Sequence, residues 1–480
     1  DSGVVVIDPK VTIFVGQNES GKTAFLQALY KSFPVETKVS YNVTEEYPRK
    51  DLNSYQREHD TNPAVVCELV YELCQEEIKC INEDLGYKLL ETLSFKYFRK
   101  YNGNGTVSLT INTKQFLKHI VSSAKLSTEV KKDLEPATSL SDVIEILEEM
   151  DLNSEEQDFL NELEKKYPQG DKWDDRIEYY IWKTHIYPRI PKFLYFDDYH
   201  LLPGKINLPE LKKKIDGNTP LTDQEKTALS LLEIADVQLQ DLANVNSGYE
   251  SVKAKLEAIS NSITDKIFEY WKQNQELDVE FDIRQDPTDQ PPFNNGNNLY
   301  IRIRNRRHRV TVPFNQRSKG FIWFFSFIVW FDSIKQQLNT DQDLILLLDE
   351  PGLSLHALAQ SDFLDYISYL AENYQTLYTT HSPFMVPNDK LHQARMVEDK
   401  IKDGTKITSN LSLSDPKTIF PLQAALGYTI AQNLFISKKN LLVEGPADLI
   451  YLRYFSSILE LKNKIFLDPD ITIIPVGGLD

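Results

Sequence analysis

The sequence predicts an α/β protein built on a mostly parallel sheet, and three observations predict it. Val11–Val15 is an apolar, β-branched-rich run that leads into a glycine loop and then a helical pattern. Residues 344–348 form a second wholly apolar run, separated by a helical pattern over 359–373 from a third run at 375–379. Strand, helix, strand in that order needs the long crossover that parallel pairing uses. A further run of the same kind, at 440–443, 447–461 and 471–475, predicts a separate small βαβ unit.

Between these anchors the elements follow in order. Apolar residues Ala24, Phe25, Ala28 and Leu29 put one face of a helix over 23–33 against the sheet. A polar stretch with prolines at 37–63 precedes strands at 64–73 and 105–111, a β-rich subregion. Residues 113–183 turn helical and acidic, with Ser154 and Gln157 spaced as a capping box. A short strand at 193–196 returns to the main sheet. A second helical stretch covers 208–275, where Thr222 and Glu225 again match a capping box. Residues 299–312 read as a hairpin turning near Asn305, and a buried helix starts at Phe321.

With 480 residues the chain exceeds one compact core, so two or three domains are expected. Its 53 basic and 71 acidic residues leave a net charge of -18, which argues against a surface coated for non-specific nucleic-acid binding but allows a local basic groove. Cys67, Cys74 and Cys80 fit neither a zinc pattern nor a disulfide framework and read as buried or half-exposed free thiols. The apolar stretch 321–331 is shorter than the ~18 residues that suggest a membrane span, and no signal peptide is visible. A cytoplasmic protein is the expectation, and both ends read as cut, since the chain opens without Met and stops just after an apolar run.

Gly16-Gln17-Asn18-Glu19-Ser20-Gly21-Lys22-Thr23 has the spacing of a phosphate-binding loop, with a strand before it and a helix after. Glycines let backbone N–H groups close around phosphate oxygens at a helix N-terminus. Lys22 reaches the β- and γ-phosphates in such a loop, and Thr23 gives its hydroxyl to Mg2+, so ATP with Mg2+ is the expected ligand. The run ending at Leu348 delivers Asp349 and Glu350 at a strand's C-terminal end, where open α/β sheets bind ligands. Asp349 would hold Mg2+ through water, and Glu350 would orient or deprotonate the attacking water. His381, after the strand at 375–379, would emerge on the same sheet edge. Arg317-Ser318-Lys319-Gly320 heads a helix and offers N–H groups, a hydroxyl and a cation to a phosphate.

In this order the motifs resemble an ABC-type ATPase head: Walker A, a shortened signature at Ser318-Lys319-Gly320, Walker B, a D-loop at Leu355-His356 and an H-switch at His381. The resemblance implies a head-to-head homodimer or higher homo-oligomer, in which Ser318 and Gly320 of one copy close over the γ-phosphate held by the other and His381 contacts it. The Q-loop is not evident, with Gln56 as the candidate. Leu441-Leu442-Val443-Glu444-Gly445, followed by Asp448 on a helix, resembles the opening of a Toprim domain. Head and Toprim start together resemble the OLD family of ATP-dependent endonucleases, which includes anti-phage proteins such as the Gabija nuclease subunit. Residues 421–427 also look like that family. The resemblance implies a divalent metal at Glu444 and Asp448, DNA as a partner, and a partner protein of a defence system. No Asp-x-Asp pair follows residues 471–475, so these residues by themselves do not complete a nuclease site.

The expected organisation is the N-terminal part of the head over 1–112, helical insertions for dimerisation over 113–275 interrupted by a head strand near 191–198, the rest of the head over 276–410, and a linker with an incomplete Toprim domain over 411–480. An alternative function is an ATPase scaffold that senses a trigger and regulates a separate effector. An SMC-like repair ATPase is disfavoured, because the insertions lack sustained heptads. Asp197 and Asp198 point to opposite faces of a strand end and read as a solvated loop. Arg302, Arg304, Arg306, Arg307 and Arg309 make the one dense basic run, read either as a DNA-phosphate contact or as a charged strand edge.

Overall fold

The computed structural model describes residues 2–35, 39–197, 200–234, 239, 249–272, 274, 276–337, 343–387, 389–400, 403–410 and 439–475. Asp198, the stretch 421–427 and the segment after 475 lie outside these residues. By contacts the chain divides into two compact units, residues 31–192 and the remainder.

The larger unit is organised by one six-stranded sheet in the order 404–408, 394–400, 11–15, 375–380, 344–348, 192–196. Val11–Val15 pairs in parallel with Gln375–Thr380 on one side and with Ala394–Lys400 on the other, and Leu344–Leu348 pairs in parallel with Gln375–Thr380. These central strands are buried almost end to end, which is why Val11–Val15 and Leu344–Leu348 lack a strict apolar–polar alternation, while Gln375–Thr380 buries threonines beside its apolar residues. Parallel pairing sends their C-terminal ends to one edge, so the glycine loop, Asp349-Glu350 and His381 leave adjacent strands on the same side. The α/β class expected from the sequence is thus the one observed.

Helix Lys319–Gln337 is apolar on all sides, as a fully enclosed helix must be. Phe327 lies 5.0 Å, ring centre to ring centre, from Phe196 of the sheet, Trp323 lies 4.9 Å from Phe363, and Trp271 lies 5.5 Å from Phe324. The second helical stretch forms Leu208–Asp216, Asp223–Ile234 and Tyr249–Tyr270 and belongs to this unit. Thr222 and Glu225 form the expected capping pair: the Thr222 N–H donates to the Glu225 carboxylate at 2.9 Å, and the Glu225 N–H to the Thr222 hydroxyl at 3.3 Å.

The hairpin forms as read, Asn298–Asn305 against Val310–Pro313, and gains a third strand, Leu277–Arg284, that the sequence did not announce. That strand carries the answer to the basic run. Arg304 stands 3.6 Å from Glu280 and Arg306 3.2 Å from Asp278, so acidic residues one strand away offset the positive field. These pairs are largely exposed and add little stability.

The unit 31–192 holds a three-stranded antiparallel sheet in the order 65–72, 94–100, 105–108, with helices from Lys114 onward. Its core includes Ile78, Phe95, Phe116, Leu147 and Ile177. The middle strand, Ser94–Lys100, is missed by pattern reading because Lys96, Arg99 and Lys100 mask the buried pair Phe95 and Tyr97. One cap shifts by a residue. Asn153, not Ser154, starts the helix Ser154–Lys166, and its amide oxygen accepts the Glu156 N–H at 3.0 Å while the Glu156 carboxylate accepts the Asn153 N–H at 3.0 Å. Of the three thiols, Cys74 and Cys80 are exposed rather than buried, and only Cys67 is part-buried, which pushes its thiol up to about 12.

The βαβ unit is present as Lys439–Val443, Pro446–Leu461 and Ile471–Pro475, its two strands parallel. Among the described residues no helix is long and apolar enough to cross a membrane. Phe327 contacts rings on three elements and is fully enclosed. Phe327→Ala is expected to lower stability by about 3–5 kcal/mol through the cavity it leaves, measured by urea unfolding.

Candidate active site

The loop after Val15 is shaped by what its neighbours leave no room for. A side chain at Gly16 would lie 2.4 Å from the Val397 carbonyl oxygen, and one at Gly21 would lie 2.1 Å from the Thr405 hydroxyl. Gly21 also has φ +94°, a conformation side-chain-bearing residues rarely adopt. Thr405 donates a hydrogen bond to the Ser20 carbonyl at 3.1 Å, and the Gly16 N–H donates to Thr380 at 3.3 Å. The flanking strands 394–400 and 404–408 therefore brace the loop from outside. The Ser20 hydroxyl is buried and without a hydrogen-bond partner among the described residues, an orphan polar group inside the cradle. Gln17, Asn18, Glu19 and Thr23 are exposed, with Thr23 on the first turn of helix Lys22–Tyr30.

Lys22 is almost enclosed, with 5% exposure, and its ammonium donates to the carbonyls of Gly16 at 3.0 Å and Gln17 at 2.8 Å. Its charge is matched by Glu350 Oε1 at 3.1 Å, and Glu350 Oε2 in turn sits 2.9 Å from His381 Nδ1. A cation this enclosed needs a counter-ion, because desolvation without one costs several kcal/mol. Lysine, glutamate and histidine from three adjacent strand ends thus form one continuous chain.

Asp349 is held differently. Its Oδ1 accepts the Thr379 hydroxyl at 2.6 Å, and its Oδ2 accepts the Tyr195 hydroxyl at 3.0 Å. Thr379 also accepts the Glu350 N–H at 2.7 Å, which braces Glu350 in a left-handed conformation with φ 46°. Such a φ in a non-glycine residue costs of order 1–2 kcal/mol and marks a functional turn. Burial, then the nearby Asp349 and Asp197 carboxylates, keep the Tyr195 phenol far above its usual range, so it remains a donor.

Ser318 is exposed, and its hydroxyl caps the following helix by accepting the Phe321 N–H at 3.3 Å. Gly320 is a packing necessity: a side chain there would lie 2.6 Å from Leu355 and 3.0 Å from the Ser354 carbonyl. Helix start and the Leu355-His356 segment are therefore in contact within one chain. Gln56 is exposed on Leu52–Glu58, in the other unit.

Glu444 is exposed at its strand end, and the Asp448 carboxylate accepts the Gly445 N–H at 3.0 Å, capping helix Pro446–Leu461. Among the described residues no three His, Cys, Asp or Glu side chains cluster as a metal site. An Mg2+ site built from Thr23, Asp349 and phosphate oxygens is of another type, since only one ligand is a carboxylate. The orphaned Ser20 hydroxyl, the glycine cradle and an Asp349 oriented by neutral donors fit a nucleotide with its metal.

Pattern reading missed Tyr195, Thr379 and Thr405. Tyr195 and Thr379 each put a hydroxyl at the end of an otherwise apolar strand, which is a legible signal. Thr405 carries none, since only the edge strand brings it to the loop.

Sheet, loop and paired acids define a P-loop nucleoside triphosphatase. The family model for the AAA ATPase domain matches residues 2–386, and the chain belongs to that family. An uncharacterized protein of Methanocaldococcus jannaschii, MJECL43, is 31% identical over 125 residues, 26% of this chain and 32% of the relative. The chain thus spans about a third of the length of the curated relative it matches. Solved structures with similarity include the Smc head bound to the C-winged helix domain of ScpA, at 13% identity and TM-score 0.34, covering 84% of this chain and 91% of that one. The SMC head domain from Thermotoga maritima matches at 11% identity and TM-score 0.31, with the same coverage.

Lys22→Ala removes the only side-chain cation among the described residues bonded to the loop carbonyls and leaves Glu350 without its counter-ion. ATP affinity is expected to fall by roughly 30-fold or more, the cost of truncating one member of an enclosed ion pair. Titration with a fluorescent ATP analogue checks this, and wild-type affinity would remove Lys22 from the phosphate site.

Proposed function

We propose that this chain is the nucleotide-driven part of an OLD-like, ATP-dependent DNA endonuclease, working as an ABC-type head in a homodimer or higher homo-oligomer. ATP hydrolysis would govern a C-terminal Toprim nuclease in a cytoplasmic defence against phage or plasmid DNA. The observation that carries the ATPase half is the chain from Lys22 through Glu350 to His381. The AAA ATPase family match agrees with it.

Glu350 neutralises Lys22. Phosphate oxygens of ATP are stronger, multiply charged acceptors, so on binding they take over the Lys22 ammonium and release Glu350. A released Glu350 carboxylate can accept a proton from water, while His381 still holds its second oxygen. The two roles of Glu350 exclude one another, which ties activation of water to arrival of the nucleotide. Thr23 and Asp349 would hold Mg2+, which supplies charge neutralisation at the phosphates. Ser318, exposed at the helix start, would meet the ATP of a second copy, while Gly320 beside it is buried against Leu355 and would let the helix start lie close.

Glu350→Gln keeps shape but removes both the ion pair and the base. Turnover is expected to fall by about 100-fold or more while ATP binding is kept or tightened, since Gln no longer competes for Lys22. Single-turnover hydrolysis and nucleotide titration separate the two effects; unchanged turnover would sink the assignment of Glu350.

The nuclease half rests on the strand–Glu444-Gly445–helix arrangement. One observation favours the alternative of an ATPase scaffold regulating a separate effector: the Asp448 carboxylate is engaged as a helix cap, and among the described residues Glu444 belongs to no cluster of three or more His, Cys, Asp or Glu side chains. Nicking of supercoiled DNA by the full protein with Mg2+ or Mn2+ decides between them. Metal-dependent nicking lost in Glu444→Ala is the expected result, and absence of nicking with intact ATPase activity selects the scaffold.

A further inference from the structure

We infer that Tyr195 is a positioning residue for the metal-holding carboxylate of Asp349, tied to the phosphate loop through its own helix. The inference rests on the reading of Asp349 as the Mg2+-holding residue.

Two adjacent carboxylates leave the same strand end, yet their partners differ in kind. Glu350 has charged or chargeable partners, Lys22 and His381. Asp349 has neutral hydroxyls, Tyr195 at 3.0 Å on one oxygen and Thr379 at 2.6 Å on the other. Neutral donors orient a carboxylate without cancelling its charge, as a metal-holding group requires, whereas an ion-pair partner would compete with the cation. The two donors come from the strands on either side of Leu344–Leu348, so the sheet clamps Asp349 from both flanks.

Tyr195 does more than donate. Its ring stacks on Tyr30 at 5.4 Å between centres, with the Gln27 side chain near its hydroxyl. Gln27 and Tyr30 both belong to helix Lys22–Tyr30, whose first turn carries Lys22 and Thr23. One phenol thus links the helix that presents Thr23 to the strand end that presents Asp349, the two protein groups that would share the metal. Thr379 sets the same carboxylate but reports to Glu350 through its N–H. Among the described residues Tyr195 is the hydrogen-bond partner of Asp349 that also touches the loop helix, so together with the Lys22–Glu350 ion pair it sets the separation of the two metal-holding groups.

The test uses the whole chain with a non-hydrolysable ATP analogue, Mn2+ as probe and EPR of free Mn2+ as readout. Tyr195→Phe keeps the stacked ring and removes the hydroxyl. Mn2+ affinity of the nucleotide complex is expected to fall roughly two- to tenfold, less than the full value of a hydrogen bond to a charged acceptor because Thr379 still orients Asp349, with analogue affinity in EDTA unchanged. Wild-type Mn2+ affinity in Tyr195→Phe, beside weakened affinity in Asp349→Asn, overturns the inference about Tyr195 alone. Wild-type affinity in Asp349→Asn overturns the metal reading of Asp349 and this inference with it. Should Tyr195→Phe not fold, Tyr30→Leu replaces it by removing the ring that ties Tyr195 to the loop helix: the inference requires a loss of Mn2+ affinity, and wild-type affinity overturns it.

Discussion

A nearly enclosed ammonium, Lys22, sits where three strand ends meet, and the rest of the site is arranged around its need for partners. Two loop carbonyls and Glu350 meet that need. Removing a charge from water without compensation costs several kcal/mol, so the ammonium cannot be left waiting for substrate unpaired. The counter-ion chosen is the residue that would later serve as base. In the proposed function, nucleotide binding would be an exchange of anions at Lys22, with release of Glu350 as its by-product.

That exchange depends on tolerances the sheet supplies. Parallel pairing of Val11–Val15, Gln375–Thr380 and Leu344–Leu348 brings loop, histidine and acids to a common edge. Two flanking strands then press against the loop closely enough that only glycine fits at 16 and 21. Thr379 gives the sheet a second role at that edge, since one hydroxyl orients Asp349 and also braces the left-handed turn at Glu350. Neutral hydroxyls hold Asp349, and cationic or titratable groups hold Glu350.

Much of this was legible in the chain. Buried parallel strands lack a strict apolar–polar alternation, so the three central ones stood out, and the spacing Gly16…Gly21-Lys22-Thr23 named the loop. The βαβ segment also showed in its pattern. The strands that escaped notice are those whose apolar residues alternate with charges, Ser94–Lys100 and Leu277–Arg284, or that end in charge, Ala394–Lys400. The capping residue of Ser154–Lys166 was misplaced by one because Asn153 and Ser154 are both good caps, and only the hydrogen bonds to Glu156 choose between them. The basic run at 302–309 looked available for phosphate until Asp278 and Glu280 came alongside from a strand some twenty residues earlier.

The sequence by itself determined the α/β class, the phosphate loop, the acids at 349 and 350 and the histidine at 381, because each is set by local periodicity or by short spacing. Tertiary structure alone decided how those groups are paired. Lys22 finds its anion more than three hundred residues along the chain, Asp349 finds Tyr195 and Thr379 on neighbouring strands, and Thr405 closes the loop from the sheet's edge. Such pairings follow from strand order and register, which no local pattern encodes, and they turn a list of motif residues into a site with a division of labour.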